Sequence, residues 1–212
     1  MLGANDGILS TASLVLGVAA SGASGTAIVT AGIAGLAAGS LSMAAGEYVS
    51  VSSQRDAEQA DLRLEESELR SDPDGELREL AGIYERRGLP RAMAGDVALA
   101  LSLRGGALKA HARDELGLDE QRLARPVQAA WTSALAFAAG AALPLLAVAV
   151  APAGARVGVV VVVTLIALGL LGDLGARLGG APRGRAAVRV VVWGAVAMAI
   201  TAAIGALVGA VA

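Results

Sequence analysis

Charge is confined to one stretch of this chain, and that confinement limits what the chain can fold into. Residues 54–125 hold 28 of the 36 acidic and basic side chains, 16 of them acidic. Residues 1–53 hold two, Asp6 and Glu47, while residues 126–155, 157–172 and 190–212 hold none. A bilayer core takes about 20 apolar residues per helix. Spans are therefore expected over 2–21, 26–52, 126–150, 156–175 and 187–211. Ser21-Gly22-Ala23-Ser24-Gly25 closes the first and Ala151-Pro152 the third. The expected fold class is an all-α membrane protein of five transmembrane helices, with one hydrophilic helical insert between helices two and three. Along the chain the division is 1–53 (transmembrane helices 1 and 2), 54–125 (the insert) and 126–212 (transmembrane helices 3 to 5).

Composition narrows the function classes. Of 212 residues, 55% are apolar and 28 are Gly, yet only Trp131, Trp193, Tyr48, Tyr84 and Phe137 are aromatic. A soluble core of this size would hold more rings. The absence of cysteine excludes disulfides, zinc–thiolate sites and a Cys nucleophile. A net charge of −2 argues against nucleic acid as a partner. No Ser/His/Asp arrangement, phosphate-cradling loop or dinucleotide fingerprint stands out. Orientation follows from basic residues in short loops. Arg177, Arg183, Arg185 and Arg189 lie between spans four and five, whereas Arg156 stands alone between spans three and four. The N-terminus, the insert and the arginine loop are thus expected in the cytosol, and the C-terminus outside. The short loops and Ala/Arg-rich composition point to a prokaryotic plasma membrane. The first span begins at Met1 without a polar lead-in, so its helix is expected to lack a turn or two. It also lacks the basic lead of a cleaved signal. Gly35/Gly39 and Gly205/Gly209 have the spacing that lets helices approach closely in lipid, a spacing that also arises by chance in so glycine-rich a chain.

The insert reads as helical throughout. Span two is expected to run on toward Arg70. Ser71-Asp72-Pro73-Asp74-Gly75 carries helix-start chemistry. Further helices follow over about 74–87, from Leu89-Pro90 to about 103, and over about 107–116. Glu65 and Glu68 are three apart and share a helix face, as do Glu76 and Glu79. The turn between them can fold the two helices together and gather four carboxylates. His111, the only histidine, has Glu115 one turn beyond it. Carboxylates with one imidazole make a donor set for Fe2+, Mn2+ or a similar ion. A plain solvated face, paired with Arg63, Arg70 and Arg78, explains the same spacings. The insert is poor in large apolar side chains, so it is expected to lean on a second copy of itself.

Asp6 and Glu47 form a second constellation. An ionisable group within a span costs about 2.5–3.5 kcal/mol on the insertion scale and marks a functional site by default. Met43 lies one turn before Glu47. A thioether and two carboxylates suit a soft-to-borderline divalent cation, and the carboxylates can also carry protons. Alternatively, both acids sit wetted at the cytosolic ends of their helices.

These residues resemble the vacuolar iron transporter family, which includes the nodulin-21-like proteins. The likeness runs over nearly the whole chain. It is carried by Gly3-Ala4-Asn5-Asp6-Gly7, by Ser42-Met43-Ala44-Ala45-Gly46-Glu47-Tyr48, by the paired Glu-x-x-Glu motifs and by Asp114-Glu115-Leu116-Gly117-Leu118. The resemblance implies a homodimer of five-span protomers in the lipid bilayer that exchanges cytosolic Fe2+ for protons, with Mn2+ carried by some members. It assigns Asp6 and Met43 to the ion pathway, and Glu65, Glu68, Glu76, Glu79 and Glu115 to a cytosolic metal-binding domain. Two departures stand out. Gly35 occupies the place of a second acid, a role for which Glu47 is the substitute, and His111-Ala112 replaces two methionines.

The function expected is therefore a divalent metal/proton antiporter that moves Fe2+, and in some cases Mn2+, out of the cytosol. The alternatives are a membrane-tethered ferroxidase and a metal-binding sensor without transport. Di-iron bundles use Glu-x-x-His motifs, and this chain has none, so no enzymatic activity is expected.

Overall fold

The computed structural model describes residues 1–119 and 123–211. Residues 120–122 of the expected insert, and Ala212, lie outside the described residues. Among the described residues every regular element is helical. The helices are α1 (Leu2–Ala20), α2 (Gly25–Ser71), α3 (Pro73–Arg86), α4 (Arg91–Ser102), α5 (Ala107–Asp114), α6 (Pro126–Val150), α7 (Arg156–Leu178) and α8 (Arg183–Val211). Five of these are long and apolar enough to cross a membrane, with mean hydropathy from 1.3 to 2.5 over the best window. The run Val159–Val163 favours strand by intrinsic propensity, yet it is helical. Within a bilayer each backbone N–H and C=O must be satisfied inside its own segment, and this requirement outweighs side-chain preference.

The chain forms two compact units, residues 1–47 with 127–212, and residues 48–126. In the first unit α1 is the element around which the others pack. Its buried residues include Gly3, Gly7, Thr11, Ala12, Val15 and Leu16. Glycines set how closely the helices meet. A Cβ on Gly7 would strike the Phe137 carbonyl of α6, and one on Gly140 would strike the Ala4 carbonyl of α1. On α8, Gly205 faces the Gly17 carbonyl and Gly209 the Ser21 carbonyl, while on α2 Gly35 faces Leu14 and Gly39 the Phe137 ring. Both small-residue pairs expected from spacing therefore sit at helix interfaces. Ala12, Val15 and Leu16 of α1 join Ile28, Val148, Val160 and Met198 in one buried cluster. The α7–α8 connection is shorter than the expected arginine loop. Gly180 takes φ +66°, α8 starts at Arg183, and Arg183 donates to Asp173 at 2.8 Å. Arg177, Arg183, Arg185 and Arg189 thus lie on the helix ends rather than in a loop.

In the second unit one residue, Asp72, joins α2 to α3. Its carboxylate accepts from the Gly75 N–H at 2.9 Å, with Pro73 at the first helical position. Both features are favourable helix-start chemistry. Gly88, at φ +100°, lets the chain leave α3. Leu80, Ile83, Ala98 and Ala110 form the core, flanked by Leu77, Tyr84 and Leu101.

The glycine contacts generate a test. A Gly205→Ala change places a methyl group inside contact distance of the Gly17 carbonyl. It is expected to destabilise the chain by about 1–3 kcal/mol, seen as a lower Tm in detergent. Gly158→Ala, which meets open space, is expected to leave Tm unchanged or raise it slightly.

Candidate metal centre

The hairpin at Asp72 brings the first glutamate of each Glu-x-x-Glu pair to the same histidine. His111 is fully buried on α5. Its Nδ1 lies 2.9 Å from Glu65 Oε1, 2.9 Å from Glu115 Oε2 and 3.7 Å from Glu76 Oε2. One ring nitrogen carries at most one hydrogen, so it can satisfy only one of these three carboxylates. The others are left as acceptors without that hydrogen. Ligand atoms of Glu65, His111 and Glu115 all lie within 4.8 Å of one another, a spacing a single ion can bridge. Three carboxylate oxygens and one imidazole nitrogen suit a borderline divalent cation.

Burial sets the electrostatics. Glu65 is 3% exposed. Loss of solvation, then the nearby charge of Glu115, pushes its pKa up to about 7, against a lowering by His111. Glu76 is also raised, first by burial and then by Glu79. Glu68 and Glu79 act on this pair through their charge without joining the contacts to His111. Three residues along a helix is 300° of rotation, so the second member of each pair turns about 60° away from the first. The solvated-face reading holds for Glu66, which pairs with Arg70 at 3.5 Å on the exposed side. It does not hold for Glu65.

Asp114, which the sequence presented only as part of a motif, fixes this site in place. Its carboxylate accepts from Tyr84 Oη at 2.7 Å, from Arg87 Nη1 at 2.8 Å and from Arg113 Nη2. Arg87 also donates to the Asp114 carbonyl at 3.1 Å. These bonds hold the end of α5 against α3, three residues beyond His111. The donors, led by Arg113, hold the Asp114 carboxyl far below the usual carboxylate range.

The acids of the first unit are arranged differently. Asp6, on the exposed side of α1, lines a cavity of about 240 Å³ together with Thr11, Gly35, Ser42, Met43 and Phe137. Glu47 lines a second cavity of about 290 Å³ with Met43, Thr132 and Ser133. Met43 borders both. Gly35 lines the first cavity with Asp6, whereas Glu47 lines the other one. Each acid thus shares a different cavity with Met43.

Five apolar helices, with acids lining cavities among them and a buried carboxylate–imidazole cluster on a separate helical unit, define an integral membrane protein built to handle cations. The sequence profile of the VIT family matches residues 1–206. The chain is 44% identical over 206 residues to a vacuolar iron transporter of Acanthamoeba castellanii, covering 97% of this chain and 76% of that protein. It is 40% identical over 202 residues to vacuolar iron transporter homolog 5 of Oryza sativa subsp. japonica, covering 95% and 74%. Over 210 residues it is 37% identical to vacuolar iron transporter homolog 2 of Arabidopsis thaliana, covering 99% and 82%. The chain belongs to the VIT family.

Two outcomes follow from the cluster. Glu65 has a raised folded pKa, so its contribution to stability is fully present below pH 4.5 and is lost as pH rises through about 7. The metal-free protein is therefore expected to melt at lower temperature as pH rises across that window, and added Mn2+ to reverse the loss. Mn2+ affinity, read by calorimetry, is expected to weaken about tenfold per pH unit below pH 7, because the ion must displace the Glu65 proton. Asp114→Asn is expected to destabilise the second unit by about 2 kcal/mol, seen as faster amide exchange in α3 and α5.

Proposed function

We propose that this chain is a divalent metal/proton antiporter that moves Fe2+, and also Mn2+, out of the cytosol, working as a homodimer. The carrying observation is that Asp6 and Met43 share a cavity among the membrane spans, which gives a cation a carboxylate and a sulfur to rest on within the apolar region. The glutamate–histidine cluster serves as the collecting site. Its donors are glutamates 65, 76 and 115 and His111, with Glu68 and Glu79 adding negative potential at the rim. Glu47, Met43 and Asp6 then form successive stations, and protons arriving from the outer side replace the metal on the two acids. The names of the relatives, all iron transporters or their homologs, support iron as cargo.

The positive-inside distribution supports a cytosolic N-terminus and insert, and the short loops support a prokaryotic plasma membrane as host. The exposure of Asp6 supports the dimer. A carboxylate facing lipid is costly, and a second copy laid over that face removes the cost. The chain is read as a transporter and not an oxidase, since its spans hold the acids an ion needs to cross.

The decisive measurement is Fe2+ uptake into proteoliposomes under an imposed pH gradient. Wild-type flux is expected to follow the gradient, and Asp6→Asn to reduce it at least tenfold with Fe2+ binding by the purified protein retained. Binding without gradient-dependent flux in the wild type would instead identify a sensor.

A further inference from the structure

Several helical hydroxyls in this chain share a habit. Ser10, Ser53, Ser102, Thr132 and Thr201 each donate to the carbonyl four residues back, at 2.7–3.0 Å. Thr11 does not. It is 1% exposed, and its Oγ1 has no hydrogen-bond partner among the described residues. Leaving a buried hydroxyl unpaired costs about 1–3 kcal/mol, whereas valine would fill the same volume without that cost. Ser13, Ser40 and Thr164 also carry buried hydroxyls without a partner among the described residues. Of these four hydroxyls, Thr11 alone lines the cavity shared by Asp6 and Met43.

We propose that Thr11 is a cation-binding residue of that cavity, its hydroxyl oxygen completing a donor set with the Asp6 carboxylate and the Met43 sulfur. The inference rests on the transport reading and deepens it by assigning a specificity role. A neutral oxygen adds no charge to be neutralised on release, so it strengthens coordination without trapping the ion. It also balances the thioether. Oxygen donors favour Mn2+ and Fe2+, whereas sulfur favours softer ions. Without Thr11 the sulfur carries more of the coordination, and selectivity shifts from Mn2+ toward Zn2+.

The test compares wild type, Thr11→Val, Thr11→Ser and Asp6→Asn in proteoliposomes, measuring Mn2+ and Zn2+ flux alongside Tm in detergent. Thr11→Val is expected to raise the KM for Mn2+ about tenfold, the value of one hydrogen-bonding ligand, and to raise that for Zn2+ less. Its Tm should equal or exceed that of wild type, because an unpaired buried hydroxyl has been removed. Thr11→Ser should restore Mn2+ flux. A Thr11→Val protein with wild-type KM for both ions overturns the proposal and leaves the transport reading intact. Equal loss of flux and Tm in both the Val and Ser variants assigns Thr11 to packing and also overturns it. Absence of Asp6-dependent flux in the wild type overturns the transport reading and, with it, this inference.

Discussion

The first unit depends on how closely backbones can approach α1. In lipid no hydrophobic force draws apolar helices together, because the surrounding tails are as apolar as leucine. Dispersion across close contacts has to hold them, and it fades within an ångström of extra separation. Glycines at 7, 17, 140 and 205 remove the side chains that would hold α6 and α8 away from α1. The same choice shapes the cavity beside Asp6. Gly35 and Gly39 leave room beside α1, and Phe137 fills only part of it, so a cavity remains beside Asp6. Small residues thus give the unit both its cohesion and its interior space.

The second unit solves a different problem. Few of its large apolar side chains are buried, and its main cluster is Leu80, Ile83, Ala98 and Ala110 with a few flanking residues. Polar bonds supplement it. The carboxylate of Asp72 starts α3, and that of Asp114 ties α5 to α3 through a tyrosine and an arginine. Between these ties the buried face carries glutamates and a histidine instead of leucines. A cluster of like charges would ordinarily push such a unit apart. In the metal-binding role proposed for this cluster, a bound cation would reverse the sign of that contribution.

Much of this was legible in the sequence because it followed from local rules. The spans follow from the length of uncharged segments, and the hairpin from Asp-Pro chemistry at one turn. Glu65, Glu76 and Glu115 follow from spacing around that turn and around His111. What escaped was long-range or chemically quiet. Asp114 acts through Tyr84 and Arg87, 30 and 27 residues away, and no local pattern announces such a partner. Thr11 reads as filler in an apolar helix until its missing hydrogen bond is seen. Arg177 of α7 and Arg183, Arg185 and Arg189 of α8 read as a loop because charge tends to end an apolar span. Gly179-Gly180 and Pro182 are the true boundary, and the guanidinium groups extend from the helix ends.

The clamp at Asp114 and the cluster at Glu65 respond to acidity over separate ranges. Burial makes Glu65 take up a proton near neutrality, whereas its donors keep Asp114 charged well into acid. Mild acidification therefore protonates Glu65 while the strut at Asp114 still holds. In the collecting role proposed for this cluster, loss of charge at Glu65 is thereby separated from collapse of the scaffold.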